Sequence, residues 1–133
     1  MAVNAIPEGY HAVCPYLIVR EVEQLVEFVK QVFGVKERLR SIGSAGGLHV
    51  EVEIGDSMIM LGGGPAVKQT STAALHVYVA DVDAVYRRAL QAGATSLAEP
   101  LDQSYGDRVA TVVDASGNTW YLAMRIAESA INA

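Results

Sequence analysis

The chain has little cysteine, little charge and no long apolar run. Its 133 residues include one cysteine, Cys14, so no disulfide forms within the chain. Charged residues make up 19% and the net charge is −5. The densest basic stretch, Lys36–Arg40, is interpreted as the solvated exit of a helix, because a nucleic-acid site needs a larger basic patch.

Signals for a membrane or for export are also lacking. No segment reaches the roughly 20 apolar residues of a membrane helix. No basic region followed by an apolar core opens the chain. We therefore expect a cytoplasmic protein that has neither a nucleic-acid nor a membrane partner.

Apolar residues, in contrast, are plentiful and follow a repeated plan. They make up 51% of the chain, which at this length predicts one domain, residues 1–133, with a proper core. Pro15–Val22 opens a strand and then a helix that ends at Gly34, and Leu75–Val82 opens a second pair that ends at Gly93. An internal repeat of this kind predicts two structurally related halves.

Alternation and helical periodicity predict the elements of the first half. Residues 1–9 form a loosely held arm, 11–19 a strand and about 22–33 a helix. Leu48–Ile54 and Ser57–Leu61 form a hairpin around the two-residue turn Gly55-Asp56. The run Gly62-Gly63-Gly64 is interpreted as a flexible hinge, and 65–72 as a linker.

The second half repeats the plan. The predicted elements are a strand at Ala74–Val79, a helix at Val82–Ala92 with Val85, Ala89 and Leu90 inward, a short strand at about 95–97, and a hairpin of Arg108–Val113 and Thr119–Met124. The fold class is thus α+β, with two tandem βαβββ modules whose sheets form a shared trough and whose helices lie on the outer faces. Module one spans about 10–64 and module two about 73–126.

Period-two alternation assigns each strand residue to one of two faces. The residues assigned beneath the helices are apolar, and they are Leu17, Val19, Leu75, Val77, Val79, Trp120, Leu122 and Met124. The residues assigned to the trough are more polar and aromatic, and they are Cys14, Tyr16, His49, Glu51, Met58, Met60, Ala74, His76, Tyr78 and Tyr121. A ligand site would produce this asymmetry, and so would solvent exposure of an open sheet.

Several trough residues suggest a role in binding. Tyr16, Tyr78 and Tyr121 each offer a flat apolar ring and a hydroxyl group for stacking. Met58 and Met60 would form an adaptable wall. Cys14 is interpreted as a small pocket-lining residue rather than a nucleophile, since no local motif activates it. Arg108 either contacts an anionic ligand group, pairs with Asp107 or is solvated.

These motifs resemble the vicinal-oxygen-chelate superfamily, which includes glyoxalase I, bleomycin-resistance proteins, fosfomycin-resistance enzymes and extradiol dioxygenases. The resemblance rests on both strand-helix openings, on Asp81-Val82-Asp83-Ala84, and on Tyr105–Arg108 running into Asp114–Asn118. It is greatest to the bacterial glyoxalase-like branch. It implies the trough fold and a homodimer, but no particular activity, because the same fold hosts several chemistries.

The resemblance also implies where a divalent metal would be held. Catalytic members use His and Glu side chains from the trough strands, and the corresponding positions here are Cys14, Met60, Ala74 and Tyr121. None of these residues is His, Asp or Glu. The usual metal site is therefore expected to be absent, and no cofactor is predicted.

Two small-molecule functions follow, besides the simpler possibility that side chains fill the trough and the domain works as an interaction module. The first is a metal-free small-molecule-binding protein of the glyoxalase/bleomycin-resistance type that holds an aromatic or amphipathic ligand in the trough. The alternative is a divalent-metal-dependent lyase, isomerase or dioxygenase with a rearranged site built from His49, Glu51 and His76. Pocket histidines bonded to tyrosine, carboxylate or ligand are the simpler interpretation of the same residues.

Overall fold

A computed structural model describes residues 3–43, 46–68 and 72–127 of the protein. The elements in chain order are β1 Tyr16–Val19, α1 Val22–Phe33, β2 Glu37–Ile42, β3 Leu48–Ile54, β4 Ser57–Gly63, β5 Ala74–Tyr78, α2 Val82–Gln91, β6 Thr95–Asp102, β7 Asp107–Val113 and β8 Thr119–Arg125. The predicted α+β fold of two tandem βαβββ modules is confirmed. The chain divides into two compact units, one of residues 1–30 and 34–71 and the other of residues 31–33 and 72–133.

Helix α1 forms where the sequence predicts it. Its apolar stripe is buried, with Leu25, Val26 and Val29 at most 2% exposed. Gly34 ends the helix with φ of 66°, and its N–H donates to the carbonyl oxygen of Lys30. A residue with a side chain pays a steric cost in this left-handed conformation, which is why glycine marks the stop. No helix of the described residues has the length and apolar character needed to cross a membrane.

The sheet of the first unit has the strand order β1-β4-β3-β2. Strand β1 runs parallel to β4, and the remaining neighbours are antiparallel. The predicted tight turn between β3 and β4 is confirmed, because Ile54 pairs with Ser57 and Gly55 adopts a φ of 60°. The sheet thus presents two faces of alternating side chains.

The interpretation of Lys36–Arg40 as a helix exit is wrong. Strand β2 starts at Glu37, and Arg40 pairs with Glu23 of α1 at 2.8 Å and with Glu37 at 2.7 Å. The strand is exposed at the sheet edge, so its charged side chains are tolerated and its apolar alternation is weak. Charge alone therefore gave the wrong interpretation for these residues.

The interpretation of the triple glycine as a flexible hinge is also wrong. Gly62 and Gly63 are the last residues of β4, paired with β1 on one side and with β3 on the other. A Cβ on Gly63 would lie 2.2 Å from the carbonyl oxygen of Val19. The glycines are thus needed for close backbone approach within a sheet.

Strand β1 is shorter than predicted, because it starts at Tyr16 rather than at residue 11. Cys14 therefore lies before the strand and occupies neither of its faces. Its thiol donates to the carbonyl oxygen of His11 at 3.4 Å. Pro15 has no N–H to donate, although its carbonyl oxygen accepts from the N–H of Met60 at 2.9 Å, so regular strand pairing starts only at Tyr16.

The second unit repeats the plan, with the strand order β5-β8-β7-β6. Helix α2 is capped by Asp81, whose carboxylate accepts from the N–H of Ala84. Val85 and Ala89 are buried as predicted, whereas Leu90 is 38% exposed, so its predicted inward position is wrong. Leu90 follows Ala89 directly, and a rotation of about 100° per residue turns it off the buried face.

Trp120 lies in the core of the second unit, as its predicted face implies. Its side chain is fully buried, and its ring centroid is 5.4 Å from that of Phe33. Its indole N–H donates to Asp114 at 2.8 Å. Asp114 also accepts from the N–H groups of Ser116 and Asn118, so this buried carboxylate organises the turn between β7 and β8.

Strand β6 is much longer than the predicted short strand at 95–97. It extends to Asp102 along β7, with shifts of register between Ser96 and Ala98 and between Ala98 and Leu101. These irregularities break the period-two pattern that sequence reasoning depends on.

Candidate functional site

The open face of the first sheet carries the candidate site. The register places Tyr16, Met60 and Glu51 side by side across three strands, and Ile18, Gly62 and His49 in the next row. The opposite face carries Leu17, Val50 and Leu61, all at most 2% exposed. The ion pair of Arg40 with Glu23 shows that α1 covers that opposite face. Apart from Cys14, which lies before β1, the predicted trough residues of this half therefore share the face that α1 leaves open.

Three of these polar side chains, together with Tyr10 of the N-terminal arm, form one hydrogen-bonded series, which we name the Tyr16 relay: Tyr16, His49, Glu51 and Tyr10. The Tyr16 hydroxyl lies 3.0 Å from His49 Nδ1, and His49 Nε2 lies 2.8 Å from Glu51 Oε2. The Tyr10 hydroxyl donates to the other oxygen, Glu51 Oε1. Both carboxylate oxygens are thus occupied by donors, while Tyr16 at the far end is 48% exposed.

Electrostatics keeps the inner end of the relay charged. Glu51 is only 7% exposed, and this burial raises the pKa of its carboxyl group. The hydrogen bonds from Tyr10 and His49 outweigh burial, so the pKa of Glu51 lies below its ordinary value. The same hydrogen bond to Glu51, together with burial, raises the pKa of Tyr10. Glu51 is therefore an anion at neutral pH and Tyr10 a neutral phenol.

Glycine at position 62 lets Tyr16 reach His49. A Cβ at Gly62 would lie 2.7 Å from the Tyr16 hydroxyl oxygen and 3.0 Å from Cε1 of the ring. The Tyr16 ring lies across the bare backbone of β4 and meets the His49 ring edge-on, with centroids 5.4 Å apart and planes at 68°. The glycine run that sequence reasoning treated as a hinge is part of the site.

A cavity of about 410 Å³ lies beside the relay within the first unit. Tyr16 and His49 contribute its polar groups, Ile18, Leu48 and Val67 its apolar wall, and glycine backbone much of the remainder. The full lining is Tyr16, Ile18, Gly43, Gly46, Gly47, Leu48, His49, Gly63, Gly64, Pro65, Ala66 and Val67. Such a mixture of apolar walls and a few placed polar groups is typical of small-molecule pockets.

The remaining predicted residues of the first half lie on or near the same face. Met60 is half-buried beside Tyr16 and Glu51, and Met58, opposite Glu53 in the register, is 3% exposed. Neither methionine lines the cavity described above. Cys14 lies before β1 and does not line the cavity either.

The predicted residues of the second half form an aromatic group on the open face of the second sheet. The His76 ring stacks on Tyr121 with centroids 6.4 Å apart, and it lies 5.0 Å from the Tyr78 ring. The Tyr78 hydroxyl donates to Asp107 at 2.9 Å, and that hydrogen bond raises the pKa of Tyr78. Tyr78 remains 62% exposed, so its ring is available for stacking.

Arg108 is not brought to the open face. It lies on the helix side of β7, where its guanidinium donates to Asp83 of α2 at 3.1 Å and to Asp102 at 2.9 Å. These two carboxylates raise the pKa of Arg108, with Asp102 the larger influence. The alternative pairing with Asp107 does not form, because Asp107 and Arg108 are consecutive residues of β7 and point to opposite faces, and Asp107 accepts from Tyr78 on the other face.

The donor set does not fit the metal site that the fold family implies. His49 Nε2 and Glu51 Oε2 are hydrogen-bonded to each other, so they do not point at a common position. Among residues 3–43, 46–68 and 72–127, no group of three or more His, Cys, Asp or Glu side chains is arranged to hold a metal ion. Met60, Ala74 and Tyr121, at three of the positions implied by the resemblance, lack the nitrogen and carboxylate donors that such ions prefer.

Sequence reasoning missed Tyr10 and the segment 63–67. Tyr10 lies between the predicted arm and the predicted first strand, and nothing in the sequence indicates its contact with Glu51, 41 positions away. Gly63–Val67 line the cavity although the segment was assigned to a hinge and a linker. The glycine run was a usable signal, since glycine in a strand commonly marks a close approach.

Comparison with known proteins agrees with this architecture. A family model described as the Glyoxalase/Bleomycin resistance protein/Dioxygenase superfamily matches residues 10–122. An uncharacterised protein of Mycobacterium bovis is 34% identical over 140 aligned positions, covering 96% of this chain and 90% of the relative.

Solved structures show the same fold. TioX from Micromonospora sp. ML1 superposes with a TM-score of 0.65 at 21% identity, covering 86% of this chain and all of that chain. A glyoxalase/bleomycin resistance protein/dioxygenase family enzyme from Burkholderia phytofirmans PsJN superposes with a TM-score of 0.67 at 25% identity, covering 84% and 95%. The architecture, the register and these matches all point to one family.

Proposed function

Because the chain belongs to the glyoxalase/bleomycin resistance protein/dioxygenase superfamily, we propose that it is a metal-free small-molecule-binding protein of that superfamily. Its ligand is aromatic or amphipathic and lies on the open face of the first sheet. The homodimer and the cytoplasmic location stay predictions from the sequence.

The cavity beside Tyr16 and His49 is the observation that supports this proposal. Its volume of about 410 Å³ lies within the range of roughly 300–1,000 Å³ for small-molecule pockets. Apolar side chains would bury the body of the ligand, while Tyr16 offers both a ring face and a hydroxyl group. The Tyr16–His49 hydrogen bond fixes the orientation of both rings before any ligand arrives, which lowers the entropy cost of binding.

The donor geometry gives no support to the alternative, a metal-dependent lyase, isomerase or dioxygenase. A metal held by His49 and Glu51 would first have to break their mutual hydrogen bond. Elemental analysis of untagged protein tests this alternative, and a stoichiometric divalent ion that is lost on His49→Ala substitution would favour it over the binding proposal.

Titration calorimetry tests the binding proposal. Protein treated with a chelator is titrated with planar cationic antibiotics and aromatic metabolites, and at least one compound is expected to bind. Ala66→Trp places a bulky ring at the cavity wall and is expected to weaken that binding at least tenfold, equivalent to about 1.4 kcal/mol.

Ala115→Trp is the matched control, since Ala115 is exposed in the turn between β7 and β8 of the second unit. It is expected to leave the affinity unchanged. Equal affinities of the wild-type protein and the Ala66→Trp variant, or no binding by any compound, would contradict the proposal.

A further inference from the structure

Resting on the proposed function and deepening it, we propose that Arg20 is a positioning residue for ligand binding. Its guanidinium holds one side of the cavity in place and touches no ligand itself. That side is formed by residues 64–68, which we name the 64–68 segment, and residues 64–67 of it line the cavity.

Strand β1 brings Arg20 to this part of the molecule. The strand ends at Val19, and alternation continued by one residue places Arg20 on the same face as Tyr16 and Ile18. Tyr16 and Ile18 both line the cavity. The Arg20 side chain reaches instead to the backbone of the 64–68 segment, at Val67, 47 positions further along the chain. Alternate residues at the end of β1 thus supply a stacking ring, an apolar surface and a link to the segment.

Two hydrogen bonds from Arg20 hold the far end of the 64–68 segment. Its Nε donates to the carbonyl oxygen of Val67 at 2.7 Å, and its Nη2 donates to that of Lys68 at 2.5 Å. A guanidinium can serve two neighbouring acceptors at once, because its donors lie in a rigid planar fork. Hydrogen bonds from a charged donor are roughly twice as strong as neutral ones. One side chain therefore fixes two consecutive carbonyl groups.

The remaining contacts hold mainly the near end of the segment. The N–H of Gly64 donates to the carbonyl oxygen of Val19 at 3.0 Å, and the N–H of Val67 donates to that of Gly64 at 3.0 Å, which closes a turn. Pro65, Ala66 and Lys68 are exposed, so little burial of apolar surface keeps the segment in place. The position of its far end therefore depends on Arg20.

This dependence affects how much of the site a ligand must organise for itself. A ligand contacts Ala66 and Val67 only while the 64–68 segment lies against the cavity. Where the segment is not held beforehand, part of the binding free energy is used to order it, and the apparent affinity falls with the fraction of molecules that are ready to bind. Arg20 therefore raises the affinity without contacting the ligand.

The binding test uses N-phenyl-1-naphthylamine, a neutral aromatic probe whose fluorescence rises in apolar surroundings. Because the probe is neutral, removing the charge of Arg20 removes no ion pair with it. Arg20→Ala is expected to weaken binding about fivefold, equivalent to about 1 kcal/mol. Arg20→Lys keeps the charge but not the planar fork, and its affinity is expected to lie between those of the wild-type protein and Arg20→Ala.

Limited digestion with endoproteinase Lys-C, which cuts after lysine, reports on the 64–68 segment itself. Arg20 holds the carbonyl group of Lys68, so cleavage there requires that hydrogen bond to open. Arg20→Ala is expected to speed cleavage after Lys68 about fivefold, because the rate follows the population of the open segment. A saturating concentration of probe is expected to slow it, since the probe binds the closed form. Cleavage after Lys30, which lies within α1, reports unfolding of the whole unit and is expected to stay unchanged.

Arg87→Ala is the matched control. It removes the same charge from an exposed position on α2 of the second unit. Both the affinity for the probe and the rate of cleavage after Lys68 are expected to equal those of the wild-type protein. Circular dichroism checks that each variant is folded.

The outcomes separate the inference from the function on which it rests. Equal affinities of the wild-type protein and Arg20→Ala for the probe overturn the inference and leave the binding function standing. Weaker binding without faster cleavage after Lys68 also overturns it, because Arg20 would then act otherwise than through the 64–68 segment. Absence of binding by the probe and by every compound in the calorimetric panel overturns both the inference and the function.

Discussion

At the scale of single residues, the site depends on side chains that are missing as much as on those that are present. Gly62 leaves room for the Tyr16 ring, and Gly63 lets β4 approach Val19. The two glycines differ in what a methyl group would meet. A methyl group at Gly62 would meet the hydroxyl end of the Tyr16 side chain, which can rotate away. A methyl group at Gly63 would meet the backbone carbonyl of Val19, which cannot.

Gly63→Ala is therefore expected to lower the free energy of unfolding by about 3 kcal/mol. The added Cβ would lie 2.2 Å from the Val19 carbonyl oxygen, and the residue would hold a φ of 123°. Urea denaturation measures the change. Gly34→Ala is the control, because its φ is 66° but its Cβ would have no heavy atom within 4 Å. The left-handed backbone alone costs about 1–2 kcal/mol there, so equal losses at the two positions would contradict the argument from close approach.

At the scale of elements, a network of ion pairs connects α1 with the exposed strand β2. Glu37 of β2 accepts from Arg40 at 2.7 Å and from Lys30 of α1 at 3.2 Å. Arg40 in turn reaches Glu23 of α1. The hydrogen bond from Arg40, assisted by that from Lys30, lowers the pKa of Glu37 to about 2 despite partial burial.

This lowered pKa predicts the pH range over which Glu37 stabilises the folded protein. The contribution of Glu37 to the free energy of unfolding is complete above its ordinary pKa of 4.5. It is lost as the pH falls towards 2, because the carboxyl group binds a proton in the unfolded chain before it does so in the folded protein. Glu37→Gln is expected to lower stability at pH 7 by about 1 kcal/mol, discounted for solvent screening. The difference in free energy of unfolding between wild type and variant should disappear as the pH falls from about 5 to about 2.

Denaturation of both proteins across that range measures the gap, and high salt at pH 7 is expected to narrow it. A gap that stays constant down to pH 2 would show that the ion pairs of Glu37 contribute nothing that titrates.

Elements with one strong pattern could be predicted from the sequence, and elements with mixed signals could not. Helix α1 was predicted at the bounds it has, because its apolar stripe and Gly34 agree. Strand β2 was missed because charge dominated its short pattern. Alternation placed Tyr16, His49 and Glu51 on one face, but it carries no information about Tyr10, whose contact depends on how the arm folds back.

At the scale of the whole molecule, the two halves differ at the positions that matter to the site. Ile18 pairs with Gly62 in the first half, and Tyr78 pairs with Ala123 at the equivalent position in the second. Val109 and Thr111 occupy the positions of His49 and Glu51. The second half therefore repeats the fold of the first without repeating the Tyr16 relay.

This difference predicts one ligand per chain despite the internal repeat. Any compound that binds in calorimetry is expected to show a stoichiometry of one, and Ala66→Trp is expected to weaken binding at that single site at least tenfold. Two equivalent sites per chain would mean that the aromatic group of the second half binds as strongly as the relay, and the asymmetry between the halves would then have no consequence for binding.

Because the strand registers of the two halves match, the residues of the Tyr16 relay can be introduced at the equivalent positions of the second sheet. His76 occupies in the second half the position that Tyr16 occupies in the first. Four substitutions would therefore introduce the three strand residues of the relay, and the glycine beneath the Tyr16 ring, into the second sheet. They are His76→Tyr, Val109→His, Thr111→Glu and Ala123→Gly. The Tyr10 arm would have no counterpart there. Comparing ligand binding by the two halves of this variant would then separate the contribution of the strand residues from that of the Tyr10 arm.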